Sequence, residues 1–270
     1  MFRAFSFEPS KTEVESFTSD HQATHDFCSL FDDAGSLESA VNALGSMDAE
    51  KIRRIWFRQC DADVFLSHSS DDDAFAKSFG AYLSSSFGLK VFIDSLSWHH
   101  MDEMLSALDK EHCVNERGPD GKVITYSYAK RNVTTAHVHM ILSHALTAMI
   151  FSTECFIYLK TPNSAISESK RRLETFSPWL FHELAMVDVI EPKDPLKPVL
   201  ENFSDKMAAA LDHDEGPRMR YCAPNRRLIN ITMDTLRKWE DEYLSANDKT
   251  GRGALEVLYK ITNARSMRDW

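Results

Sequence analysis

Two short stretches of this 270-residue chain carry side chains suited to chemistry. The first is Ser177-Pro178-Trp179-Leu180-Phe181-His182-Glu183-Leu184. Ser177 can cap a helix and Pro178 fits its first position, so Trp179 and Glu183 stand i,i+4 on one face. Leu180, Leu184 and Val187 fall on another face and can pack on a sheet, which leaves the carboxylate and the ring expected on the exposed side. One negative charge can stabilise a cationic transition state, and an aromatic ring can stack on a flat heterocycle. The second stretch is Ser67-His68-Ser69-Ser70, followed by Asp71, Asp72 and Asp73. Small hydroxyls and backbone amides at the start of a helix form a place where phosphate groups are received. Asp94-Ser95 closes a similar run. The plain alternative is a solvated helical glutamate and a core tryptophan.

The elements that must position these residues can be read from the pattern around them. Val64-Phe65-Leu66 is a short apolar run bounded by polar turn residues, as in a strand buried on both faces. Phe75, Phe79, Tyr82, Leu83 and Phe87 then recur on one side of a helix over 73–86, which Gly88 stops. Val91-Phe92-Ile93 repeats the strand. Strand, helix, strand with short links is a right-handed unit of a parallel sheet, whose ligands bind beyond the carboxyl ends of the strands. Ser67, His68, Ser69, Ser70, Asp94 and Ser95 would all lie on that rim. Cys155 to Thr161 reads as a third strand ending in Thr161-Pro162-Asn163-Ser164. A helix over 134–150, capped by Thr134 or Thr135, precedes it.

Arg218 to Cys222 and Leu228 to Ile231 are candidate fourth and fifth strands, followed by helices through Leu236 and Trp239 and through Leu255 and Leu258. Residues 96–133 read as a long loop that opens with Trp98-His99-His100 and holds a small hairpin at Gly118-Pro119-Asp120-Gly121. Residues 1–57 suggest one or two short helices packed on the main domain. The expected fold is α/β: a doubly wound parallel sheet of about five strands over 58–247. A helical extension over 1–57 and a C-terminal helix over 248–270 complete the chain.

Composition narrows the function. A net charge of −10 argues against non-specific binding to nucleic acid or an anionic membrane. The five cysteines (28, 60, 113, 155 and 222) form no CxxC, which suits reduced thiols in a cytoplasmic protein. The first residues show no apolar signal region. The most apolar window, 140–159, is broken by His144, Ser152 and Glu154 and is not expected to span a membrane. His21 and His25 are spaced to chelate a metal on a helix but lack a third ligand, and His99-His100 point apart, so no metal is expected. No GxxxxGK[ST], GxGxxG, HExxH or GxSxG occurs.

The stretches Asp63 to Asp72 (DVFLSHSSDD), Val91 to Asp94 (VFID) and Ser177 to Leu184 (SPWLFHEL) resemble, in order and spacing, the Toll/interleukin-1 receptor (TIR) domain, in its bacterial branch. The resemblance implies a flavodoxin-like fold. In enzymatic members it implies cleavage of the nicotinamide–ribose bond of NAD+, a substrate rather than a cofactor. It makes Glu183 the catalytic carboxylate and Trp179 a residue lining the nucleotide pocket; Ser67, His68, Ser69, Ser70, Asp94 and Ser95, from their place on the rim, are the further substrate-binding candidates. It further implies a homo-oligomer in the active state and a Thoeris-like antiphage pathway, in which an ADP-ribose-derived product acts on a separate effector protein. The chain departs from the family after Asp94-Ser95: no glycine occurs before Gly118, where a glycine-containing loop normally contributes to assembly. Two other readings stay open. One is a non-catalytic TIR interaction module. The other is a phospho-acceptor receiver domain, disfavoured because the third strand ends Leu159-Lys160-Thr161 without an aspartate.

Overall fold

The computed structural model describes residues 3–20, 27, 60–169, 172–189 and 219–262. Residues 28–57 of the expected helical extension, and the His21/His25 pair, lie outside these residues. The chain opens with strand β1 (Arg3–Phe7) and helix α1 (Lys11–Asp20). Strand β2 (Val64–Ser67) passes through a single 3-10 turn (Ser70–Asp72) into α2 (Asp73–Phe87). Gly88 ends that helix in the left-handed conformation, φ +65°, as the pattern predicts. Strand β3 (Val91–Ile93) leads into α3 (Ser95–His112), then a hairpin of β4 (Val114–Arg117) and β5 (Val123–Tyr126), then α4 (Tyr128–Ser152). There follow β6 (Cys155–Leu159), β7 (Ser167–Ser169), β8 (Arg172–Thr175) and α5 (Pro178–Val189). Strands β9 (Tyr221–Pro224) and β10 (Ile229–Ile231) and helices α6 (Met233–Ser245) and α7 (Gly251–Ile261) complete the described chain.

Five strands form one all-parallel sheet in the order β10-β1-β6-β2-β3. Its register sets Phe5 and Leu66 on either side of Ile157, and Val64 beside Val91. Successive side chains along a strand point to opposite faces, and the sheet is buried on both. Phe65, Phe92, Phe156 and Tyr158 face a core made with Leu142, Leu146 and Met149 of α4 and Leu180, Leu184 and Val187 of α5. Phe5, Phe7, Val64, Leu66, Ile93, Ile157 and Leu159 face the other core, made with α1, α2, α6 and α7. There Phe87 of α2 stacks on Trp239 of α6, ring centroids 3.8 Å apart. Each fully buried side chain of this size contributes roughly 1.5–3 kcal/mol of transfer free energy. By length and composition α4 could cross a membrane, but Val138, Leu142, Leu146 and Ile150 on it belong to the first core.

Three expectations are corrected. Where 1–57 reads as a helical extension, residues 3–7 are a strand inside the sheet, between β6 and β10. Its partners lie some 150 and 225 positions away (Phe5 with Ile157 and Ile229), so nothing local marks it. Where 96–133 reads as a long loop, α3 fills residues 95–112; no glycine or proline occurs from Ser95 to Arg117 to break it. The hairpin after it forms as expected, with Gly121 at φ +79°. Finally, the strand near 218–222 is β9, and it pairs antiparallel with β8 in a separate three-stranded sheet. The fourth place in the parallel sheet belongs to β1 instead. A smaller difference is that Ser127, not Thr134 or Thr135, caps α4, its side chain accepting from the Lys130 amide at 3.4 Å.

Candidate active site

Adjacent parallel strands deliver their carboxyl ends to the same edge of the sheet, and here β2 and β3 end one residue before or at polar side chains. Ser67 is the last residue of β2 and His68 follows it; Asp94 follows β3. All three are buried. Asp94 precedes α3 but does not cap it with its side chain. Its Oδ1 instead lies 2.8 Å from His68 Nδ1, both side chains being almost wholly enclosed.

The fourth member comes from α5. Thr175, buried at the end of β8, accepts from the Ser177 amide at 3.1 Å, and Ser177 Oγ accepts from the Leu180 amide at 3.3 Å. The start of α5 is thus fixed as its Ser-Pro opening predicts. Packing of Leu180, Leu184 and Val187 on the sheet sets the helix's rotation. One consequence is that Glu183 points inward over the strand ends, and Ser67 Oγ donates to its Oε2 at 2.6 Å. Glu183 has 0% exposure, so the expectation of an exposed carboxylate is corrected. The physical reason is that α5 is apolar nearly all round, with Trp179, Leu180, Phe181, Leu184, Met186 and Val187 all joined to the core.

The electrostatics of the cluster follow from this enclosure. Burial pushes the Glu183 carboxyl well above the ordinary carboxylate range, and the Asp94 charge pushes it further; the hydrogen bond from Ser67 pulls the other way. For His68, burial disfavours the imidazolium, yet the paired Asp94 charge and a smaller pull from Asp73 leave its basicity raised. Two atoms within the enclosure, His68 Nε2 and Glu183 Oε1, have no hydrogen-bond partner among the described residues. Buried polar atoms are seldom left so, and both are suited to meet a polar ligand.

The structure brings Ser67, His68, Asp94 and Glu183 into one site. Ser69 and Ser70 sit on the turn that follows, half-buried and exposed, where their amides lead into α2. Ser95 turns aside, donating to Asp73 Oδ1 at 2.6 Å, while Asp73 also holds Lys77 at 2.7 Å. Trp179 is half-buried one turn before Glu183, its ring 5.5 Å from that of His139 on α4. The side chain of Trp98 lies outside what is described. Residues not assigned to the site from sequence complete the rim. Asp72 accepts from Thr161 and, at 2.8 Å, from Asn163 Nδ2, which ties the 3-10 turn to the end of β6. The available signal was the aspartate run facing Thr161-Pro162-Asn163-Ser164. Among the described residues no group of three or more His, Cys, Asp or Glu side chains is arranged to hold a metal ion.

No family model matches the chain, and neither the curated proteins nor the solved structures give a match.

Proposed function

We propose that this protein is a TIR-type enzyme that cleaves the nicotinamide–ribose bond of NAD+, with Glu183 as the catalytic carboxylate. The observation that carries the reading is the 2.6 Å contact between Ser67 and Glu183. It joins, across 116 positions of sequence, the two stretches whose residue types suit this chemistry. The sheet supports it as well. It is all-parallel and so compatible with a flavodoxin-like fold, although in chain order its strands run 3-2-4-1-5 where that fold has 2-1-3-4-5.

The chemistry asks little of the protein. Nicotinamide departs from a cationic pyridinium as a neutral molecule, taking the electron pair of the C–N bond, so no general acid is required. Most glycoside hydrolases differ, needing a second carboxyl group to protonate the leaving oxygen. A single carboxylate can then bind ribose hydroxyls and stabilise the oxocarbenium-like transition state. Water or an internal nucleophile adds to the ribosyl carbon and releases a proton. Hydrolysis gives ADP-ribose, and internal capture gives a cyclic or conjugated product. Trp179 would stack on a base of the nucleotide, and the amides around Ser69 and Ser70 would take the pyrophosphate. In this reading the active protein is a homo-oligomer, and its product acts on a separate effector in antiphage defence. Incubation with NAD+ and identification of the products by mass spectrometry tests it; intact NAD+ at every protein concentration overturns it.

One observation favours a second reading, a non-catalytic TIR interaction module. Glu183 has no exposed surface, and a carboxyl whose charged form burial disfavours can serve the core alone. That reading expects partner binding to survive Glu183→Gln unchanged.

A further inference from the structure

We propose that His68 is a positioning residue for Glu183: paired with Asp94, it offsets that carboxylate's charge and so allows Glu183 to become negative when a cationic substrate arrives. Its catalytic role rests on the proposed NAD+ cleavage, whereas the electrostatic link belongs to the free protein and can be measured without substrate.

The geometry sets two carboxyl groups and one imidazole in a single enclosure. Glu183 and Asp94 are 0% and 3% exposed, and His68 is 3% exposed. Two carboxylates sharing a dry site cannot both ionise readily, because like charges there are poorly screened. His68 Nδ1 lies 2.8 Å from Asp94 Oδ1 and can pair with its charge. A charged His68 leaves the His68–Asp94 pair near neutral and removes the objection to a Glu183 carboxylate. A neutral or absent imidazole restores it.

The other titratable side chains around the enclosure are engaged elsewhere. Asp73, which also attracts His68, holds Lys77 and accepts from Ser95. Asp72 is held by Thr161 and Asn163, and Tyr158 donates to Ser164 at 2.8 Å. On α5, His182 turns to Thr147 and to the Ser143 carbonyl of α4. His139 lies against Trp179. The raised basicity of His68 agrees with its carrying charge near neutral pH.

The test reads the carboxyl of Glu183 directly in the folded, substrate-free protein, through its infrared carbonyl band, assigned by its loss in Glu183→Gln. His68→Asn retains an amide where Nδ1 stands but cannot carry charge. It should move the Glu183 titration midpoint up by about one pH unit or more. Asp94→Asn removes the opposing charge and should move the midpoint below that of the parent, which keeps the proposal testable if His68→Asn does not fold. A midpoint at the parent value in either folded variant overturns the proposal, since a merely structural histidine would not shift it. Where NAD+ is cleaved, the acid limb of kcat should move with the midpoint while KM changes little. Shifted titration with no cleavage by the parent would establish the link and refute the proposed function.

Discussion

Glu183 is a carboxyl whose protonation is tied to the stability of the fold as well as to its chemistry. Its folded pKa stands above its unfolded one, chiefly through burial and then Asp94. Such a group adds stability that is fully present below the unfolded value of 4.5 and is lost as pH rises through the folded value. His68, raised above 6.5 by Asp94 against the effect of burial, acts in the same direction over a higher window. The protein should therefore melt at a lower temperature as pH rises from mildly acidic to alkaline. Glu183→Gln, which keeps the shape of the protonated carboxyl, should melt higher than the parent at neutral pH and show a flatter pH dependence; scanning calorimetry across pH checks both. Trp179 makes a contrasting case. It is half-buried against the core and His139, so Trp179→Ala should cost less than the ~3–5 kcal/mol of a fully buried aromatic. It should weaken nucleotide binding more than it lowers the melting midpoint. A collapse of the midpoint with unchanged binding would make Trp179 a core residue only.

At the level of elements, β1 occupies an interior place in the parallel sheet, paired on both sides. Five residues at the chain's start separate β6 from β10 and set Phe5 and Phe7, both 0% exposed, into the second core. Phe5→Ala or Phe7→Ala should each cost about 3–5 kcal/mol, measured by urea unfolding. By contrast, Gly88 has open space around its Cα and needs only its left-handed backbone. Gly88→Ala should cost no more than about 1–2 kcal/mol. The difference between what could and could not be read beforehand follows the range of the interactions. Helix α2 was legible because Phe75, Phe79, Leu83 and Gly88 state its face and its end within 16 residues. Strand β1 was not, because its pairing is wholly non-local, and β9 was legible as a strand but not as to which sheet it joins. For α3 the available signal was the absence of any glycine or proline from Ser95 to Arg117. In the site, the i,i+4 relation of Trp179 and Glu183 was local and legible. The burial of Glu183 depends on what covers α5, to which only its all-round apolar surface gave a hint.

For the molecule as a whole, the parallel sheet acts as a fixed frame that brings Ser67, Asp94 and Glu183 to one edge from stretches of chain far apart. Removing Ser67's donor tests that frame. Ser67→Ala leaves Glu183 without its short hydrogen bond and should raise its carboxyl pKa further, so that activity is lost at a higher pH than in the parent. If the active state is a homo-oligomer, activity per molecule should also rise with protein concentration, followed by light scattering on the same samples. The central claim is that Glu183 cleaves NAD+, and the most direct measurement is nicotinamide release by mass spectrometry from concentrated parent protein and from Glu183→Gln side by side. The account predicts nicotinamide in step with NAD+ loss for the parent, reduced at least about a hundredfold in the folded variant. Release at the parent rate by Glu183→Gln, or none from the parent, would contradict it.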